Sequence, residues 1–234
     1  MTAQAMILAA GRGERMRPLT DECPKPLLRV HGKPLIQYHT EALARAGIRD
    51  VVVNTAWLGH LIESHLETAD RDDGQPRIRY SHEGRDFGGA LETAGGIARA
   101  LPLLDDVFWL VGGDVYVPGF EFSRAALERF GANGMLAHIF LVPNPQHNPK
   151  GDFGLRSDGR ALSQAEQRFT YSTIGLYRKP LFAPLPAGNP QGLKAPLAPL
   201  LRAAMDNGQV TAEIYTGRWA DVGTPERLAE LNAP

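Results

Sequence analysis

The chain has 234 residues, a formal net charge of −1 and a single cysteine, Cys23. That length suits one α/β domain, or one domain with a small appendage. The near-neutral charge offers no broad attraction to nucleic acid or to an anionic membrane, and one cysteine excludes an internal disulfide framework.

An apolar run, Met6-Ile7-Leu8-Ala9-Ala10, reads as a buried strand that breaks at Gly11, with Gly13 two positions on. Glycines directly after a strand let the backbone turn sharply and approach a ligand, and their N–H groups can cradle phosphate oxygens. Arg12, Arg15 and Arg17 set guanidinium forks beside this loop, and Lys25 stands between Pro24 and Pro26. So much positive charge beside a buried strand suggests a polyanionic ligand, most simply a nucleoside triphosphate. The stretch is not a P-loop, since no Gly-Lys-Ser/Thr follows, and Met16 holds the third glycine position of the dinucleotide fingerprint. Pro18, Pro24 and Pro26 argue against a helix here and predict a long irregular segment. Cys23 lies in it, readable as a reactive thiol or as an incidental small residue.

Residues 27–30 form a short apolar segment, and a turn follows at Gly32-Lys33. A helix is expected from Pro34, closing at Gly47. Val51-Val52-Val53 marks a buried strand, and Leu58, Leu61, Ile62, His65 and Leu66 share one face of a helix. Residues 70–76 read as a polar turn, 77–81 as a strand, 84–90 as a glycine-bearing loop, 92–101 as a helix and 107–111 as a strand. This rhythm predicts a mostly parallel sheet covered on both faces, with ligands gathered at the carboxyl ends of its strands. The Gly11 loop, Asn54, residues 84–96 and Gly113-Asp114 should therefore face one rim. Beyond them, 121–130 reads as helix, 135–142 as strand, 153–164 as a hairpin turning at Asp158-Gly159, and 169–177 as strand. A Pro/Gly loop covers 184–192, a helix 196–207 ends at Gly208, a strand covers 209–215, and Thr224 caps a last helix before Pro225.

Asp114 at a strand end and Asp221 just before a helix put two carboxylates near this rim. Mg²⁺ takes such hard oxygen ligands, with phosphate and water filling its other positions. Taken alone, each aspartate reads more readily as a cap or turn residue. No Cys/His cluster has the spacing of a zinc site, and no apolar stretch approaches a membrane span. With no signal peptide, the expected compartment is the cytoplasm.

Leu8-Ala9-Ala10-Gly11-x-Gly13-x-Arg15-Met16-x-Pro18, followed by Pro24-Lys25-Pro26, resembles the signature of the nucleotide-sugar pyrophosphorylases, the sugar-phosphate nucleotidyltransferases. The resemblance runs through nearly the whole chain, to the Trp-x-Asp-x-Gly-Thr stretch at 219–224. The run from Gly13 to Thr20 is similar in wording to the small bacterial N-acetylmuramate α-1-phosphate uridylyltransferases. The resemblance implies a Rossmann-like, three-layer α/β fold with a mixed, mostly parallel sheet and a small β-rich sugar-binding lobe. It implies one domain, 1–234, with a nucleotide-binding part over about 1–115 and a sugar-binding part over about 116–234.

The same resemblance implies Mg²⁺ held by Asp114 and Asp221, with Arg15 and Lys25 holding the triphosphate and stabilising departing pyrophosphate. Ala9, Ala10, Gly11, Gly13, Glu83, Gly84, Thr93 and Asp114 would bind the nucleotide. Glu92, Gly95, Gly151, Asp152 and Ser172 would form the sugar pocket. The implied reaction joins a nucleoside triphosphate, UTP by preference, to a sugar 1-phosphate, N-acetylmuramate α-1-phosphate by preference, within peptidoglycan recycling. A mannose-1-phosphate guanylyltransferase and a non-catalytic nucleotide-sugar-binding protein are the alternatives. Three departures leave base and sugar open: Gly112 where the resembled branch tends to carry Asn, a longer 85–90 segment, and Lys194 displaced by two residues. The oligomeric state is open too.

Overall fold

The computed structural model describes residues 3–68 and 74–233. In chain order its strands are β1 Ala3–Leu8, β2 Arg29–Val30, β3 Lys33–Pro34, β4 Asp50–Thr55, β5 Arg77–His82, β6 Leu104–Gly112, β7 Val115–Tyr116, β8 Ala137–Val142, β9 Gly154–Leu155, β10 Ala161–Leu162, β11 Thr170–Arg178, β12 Val210–Ile214 and β13 Ala220–Asp221. The helices are α1 Leu19–Glu22, α2 Leu35–Arg45, α3 Gly59–Thr68, α4 Glu83–Phe87, α5 Glu92–Ala100, α6 Arg124–Ala132, α7 Leu197–Asp206 and α8 Pro225–Asn232.

Seven strands pair into one sheet in the order β12-β8-β11-β6-β1-β4-β5. The pairs β1–β4, β1–β6, β4–β5 and β8–β12 are parallel, while β11 runs antiparallel to both its neighbours, β6 and β8. The central strands are continuous apolar runs because both faces are covered. On one face Met6, Val52 and Leu110 pack against Ala94 and Ile97 of α5 and Leu197 and Leu201 of α7. On the other, Ile7, Val53 and Val111 pack against Ile36 and Leu43 of α2, Ile62 of α3 and Leu127 of α6. A third, smaller cluster joins Met16, Leu28, Val30 and Leu35 to Tyr116 and Val222, and seats α8 through Leu228 and Leu231. It docks the arginine-rich loop onto the remainder of the fold.

The sequence expectations hold for the strands and for most helices, with three differences. Residues 84–90 are not a loop: 83–87 form α4, ended by Gly88 in the left-handed conformation at φ 76°. The helix expected over 121–130 starts three residues late, at Arg124, because Ser123 caps it, its hydroxyl accepting from Ala126 N at 3.3 Å. The segment 12–27 contains short helical turns, Glu14–Met16, α1 and Lys25–Leu27, separated by extended residues before Pro18 and Pro24. The polar turn expected over 70–76 lies, for 70–73, outside the described residues.

His39 of α2 is buried among these layers, and its Nε2 donates to Val115 O at 3.0 Å. Burial pushes its pKa down from 6.5 to about 4, so the folded protein holds it neutral. Below pH 6.5 the unfolded chain takes up a proton that the folded one refuses, so stability falls as pH falls and the loss is complete near pH 4. The shift corresponds to about 3 kcal/mol. Urea unfolding of wild type and His39→Gln should show it: the difference between them moves by about 3 kcal/mol in favour of the variant from pH 7 to pH 4. A difference that stays constant with pH would rule out a buried neutral His39.

Candidate active site

A cavity of about 550 Å³ opens at the carboxyl ends of β1, β4 and β6. Leu8, Ala9, Ala10 and Gly11 form one edge of it, as the sequence predicts for the loop after the first strand. A chain of hydrogen bonds fixes this edge. Ala9 N donates to Asn54 Oδ1 at 2.8 Å, Asn54 Nδ2 donates to Glu83 Oε1 at 2.6 Å, and Leu91 N donates to Glu83 Oε2 at 2.7 Å. Glu83 is only 1% exposed, and burial raises its carboxyl pKa while these donors oppose the rise. A side chain at Gly96 would collide with Glu83 Oε1, so the carboxylate depends on a glycine in α5. Both Glu83 oxygens are thus occupied by the protein itself.

Thr93 and Glu92 line the cavity at the start of α5. Glu92 is exposed and sits at φ 60°, a strained conformation for a non-glycine residue of the kind that clusters at functional sites. Gly13 and Gly84 lie outside the lining: Gly13, at φ 67°, has its carbonyl bound by Thr20 Oγ1, and Gly84 packs tightly on the Ala56 backbone. Arg15 is exposed and makes no hydrogen bond or ion pair within the described residues. Arg12 and Arg17 differ: both bind Asp21 Oδ1, at 2.6 and 2.9 Å, and Arg12 stacks 3.8 Å over Trp57. The Arg12 hydrogen bond holds the Asp21 carboxyl below its usual range. Cys23 is half-buried, and that burial raises its thiol pKa, the opposite of an activated cysteine.

Lys25 is the centre of the cavity floor. It is 8% exposed, with Nζ 2.7 Å from Asp114 Oδ2 and 3.9 Å from Asp221 Oδ1. A two-residue ribbon brings the carboxylates together across more than a hundred positions of sequence. β13 pairs antiparallel with β7, placing Asp221 opposite Val115, and Val222 N donates to Asp114 O at 3.1 Å. His39 supports the same ribbon through Val115 O. The donor chemistry suits Mg²⁺: two carboxylates face one cationic point. Among the described residues no cluster of three or more His, Cys, Asp or Glu closes around a metal. Phosphate oxygens and water would therefore supply the remaining ligands.

Across the cavity stand Asp152, Phe153, Tyr171, Thr173, Leu197, Leu201 and Arg202. Asp152 Oδ2 accepts from Tyr171 N at 2.8 Å and from Asn148 Nδ2 at 3.2 Å, and Asp152 lines the cavity. Arg202 bonds the carbonyls of Ser163 and Asp152 and lies 4.9 Å over the Phe153 ring. Ser172 is displaced from the expected position. It is fully buried, donating to Phe140 O at 2.8 Å and accepting from Ile174 N at 3.2 Å. The pairing of β11 with β8 shifts register between Tyr171 and Gly175, and this irregularity turns Thr173, at φ 60°, into the cavity in its place. Gly95 and Gly151 lie against backbone, at Leu193 and Arg168, and do not reach the cavity. Lys194 is exposed and outside the lining.

Asn54, Arg202 and the pair His147 and Arg227 beside Asp221 had no motif to announce them. Asn54 alone carried a signal, as a polar residue ending an apolar strand on the predicted rim.

A family model described as nucleotidyl transferase matches residues 4–234. The chain is 45% identical over 238 residues to an N-acetylmuramate alpha-1-phosphate uridylyltransferase from Neisseria meningitidis, covering 98% of this chain and 97% of that protein. It is 33% identical to a protein of the same description from Caulobacter vibrioides, covering 97% of each. The crystal structure of HddC from Yersinia pseudotuberculosis complexed with GMP-PN superimposes with a TM-score of 0.73 at 17% identity, over 98% of both chains.

Proposed function

The chain belongs to the nucleotidyl transferase family, and from that footing we propose that it transfers uridylyl from UTP to N-acetylmuramate α-1-phosphate, giving the UDP-sugar and pyrophosphate. The observation that carries the reading is Lys25 set between Asp114 and Asp221 on the floor of the cavity. Relatives of full matching length that carry the same description support the choice of base and sugar.

The nucleotide takes the side built chiefly by residues up to about 115, and the sugar takes the side beyond together with Glu92. Ala9, Ala10, Gly11 and Thr93 bind the nucleotide, held in place by the Asn54–Glu83 bonds. Glu92 and Asp152, each with carboxylate oxygen to offer, bind sugar hydroxyls. A phosphate oxygen of the sugar 1-phosphate attacks the α-phosphorus in line, the bond to the β-phosphate oxygen breaks, and pyrophosphate leaves. The nucleophile is already anionic near neutral pH, so no side-chain base is needed. Lys25 and Arg15 stabilise charge that grows on the departing group. Asp114 and Asp221 would hold Mg²⁺, which would supply further neutralisation of phosphate charge. This assignment belongs to cytoplasmic recycling of cell-wall sugar.

Arg202 favours an acidic sugar. Two of its donors are committed to carbonyls, and a guanidinium has five. N-acetylmuramate differs from N-acetylglucosamine by a lactyl carboxylate. Arg202→Ala should raise KM for the muramate phosphate about ten- to hundredfold, the size of a charged hydrogen bond, and leave KM for the glucosamine phosphate unchanged. Equal effects on both would detach Arg202 from sugar choice. The reading as a whole is tested by pyrophosphate release from a panel of nucleoside triphosphates against sugar 1-phosphates. Turnover preferring another base or sugar overturns the substrate assignment.

A further inference from the structure

Asp221 is gripped on the side away from Lys25. Thr224 caps α8, its hydroxyl accepting from Arg227 N, and this first turn throws the Arg227 side chain back over Asp221. Arg227 Nη1 lies 2.7 Å from Asp221 Oδ2 and 3.2 Å from Asp221 O. His147 Nε2 approaches the same nitrogen at 3.2 Å. The other carboxylate oxygen, Oδ1, is left 3.9 Å from Lys25 Nζ, which binds Asp114 at 2.7 Å instead. A Cβ on Gly223 would stand 2.7 Å from Arg227 Nη1 and 3.0 Å from Asp221 Oδ2. The guanidinium occupies the space that a side chain at residue 223 would need, so a Cβ there would displace it from this contact.

We propose that Arg227 is a positioning residue that clamps Asp221, so that Oδ1 stays available to a divalent cation and off Lys25. The proposal rests on the reading of Asp114 and Asp221 as cation ligands. An unrestrained carboxylate 3.9 Å from an ammonium closes to a direct pair, because the attraction is strong in a partly desolvated site. Lys25 would then be shared between two carboxylates, and the oxygen required by the cation would be occupied.

Mn²⁺ binding, followed by EPR on the full chain with a non-hydrolysable nucleoside triphosphate, tests this in R227A, G223A and D221N. R227A and G223A should each weaken Mn²⁺ about ten- to hundredfold, the usual effect of losing a group that orients a ligand. Their melting temperatures should stay near that of wild type. G223A adds one methyl against the mobile end of a side chain, so it tests the clamp even where R227A fails to fold. Wild-type Mn²⁺ affinity in R227A and G223A, with loss in D221N, overturns the clamp alone. Wild-type affinity in all three removes Asp221 from the cation site and the clamp with it.

Discussion

Asp114→Asn is expected to lower kcat about a thousandfold or more while leaving the melting temperature close to wild type. The side chain keeps its shape but loses the charge that faces Lys25 at 2.7 Å, together with a proposed cation ligand. Electrostatic groups of this kind are worth about 10²–10³ in kcat each, and this substitution disturbs two at once. Asp221→Asn should follow in the same direction. EDTA should abolish wild-type turnover, and added Mg²⁺ should restore it. Full activity of Asp114→Asn at unchanged Mg²⁺ would remove that residue from the chemistry.

Lys25→Ala should cost about 10²–10³ in kcat, with a smaller change in KM. The ammonium is 8% exposed and paired directly with Asp114 at 2.7 Å, so its position is set before substrate arrives. An interaction that strengthens as pyrophosphate departs appears in kcat, whereas one made equally in the bound ground state appears only in KM. A change confined to KM would make Lys25 a binding group and no more. Circular dichroism guards the interpretation, since the deletion leaves Asp114 without its ion-pair partner while Asp221 keeps Arg227.

Legibility in the sequence followed the range of the forces involved. The central strands were readable because burial on both faces demands uninterrupted apolar runs, as in Val51-Val52-Val53. The rim was readable because glycines and a polar Asn54 end those runs. α4 was not, because two of its neighbours in sequence are glycine and its packing surface, the Ala56 backbone, is distant in the chain. Ser172, expected from the resemblance, gives way to its neighbour Thr173 because the register shift in the pairing of β11 with β8 has no local signature in the sequence. Arg12 looked free because its partner Asp21 is bound only once the loop closes on itself. The cap and proline of α8 could be read, but the target of Arg227 depends on a ribbon between β7 and β13.

The place of β11 has a consequence for motion. It is hydrogen-bonded along one side to β6, which carries the strand end before Asp114, and along the other to β8, which leads toward Asp152. The two walls of the cavity are therefore spliced by a shared ladder, with no flexible connection on which one could swing from the other. A clamshell opening, with bodies rotating about a hinge, is closed to this architecture. Access has to come through the rim, from the segment 143–151 and the connection before α7. Hydrogen exchange should accordingly find β6, β8 and β11 protected as one unit, with the fast amides confined to those crossings.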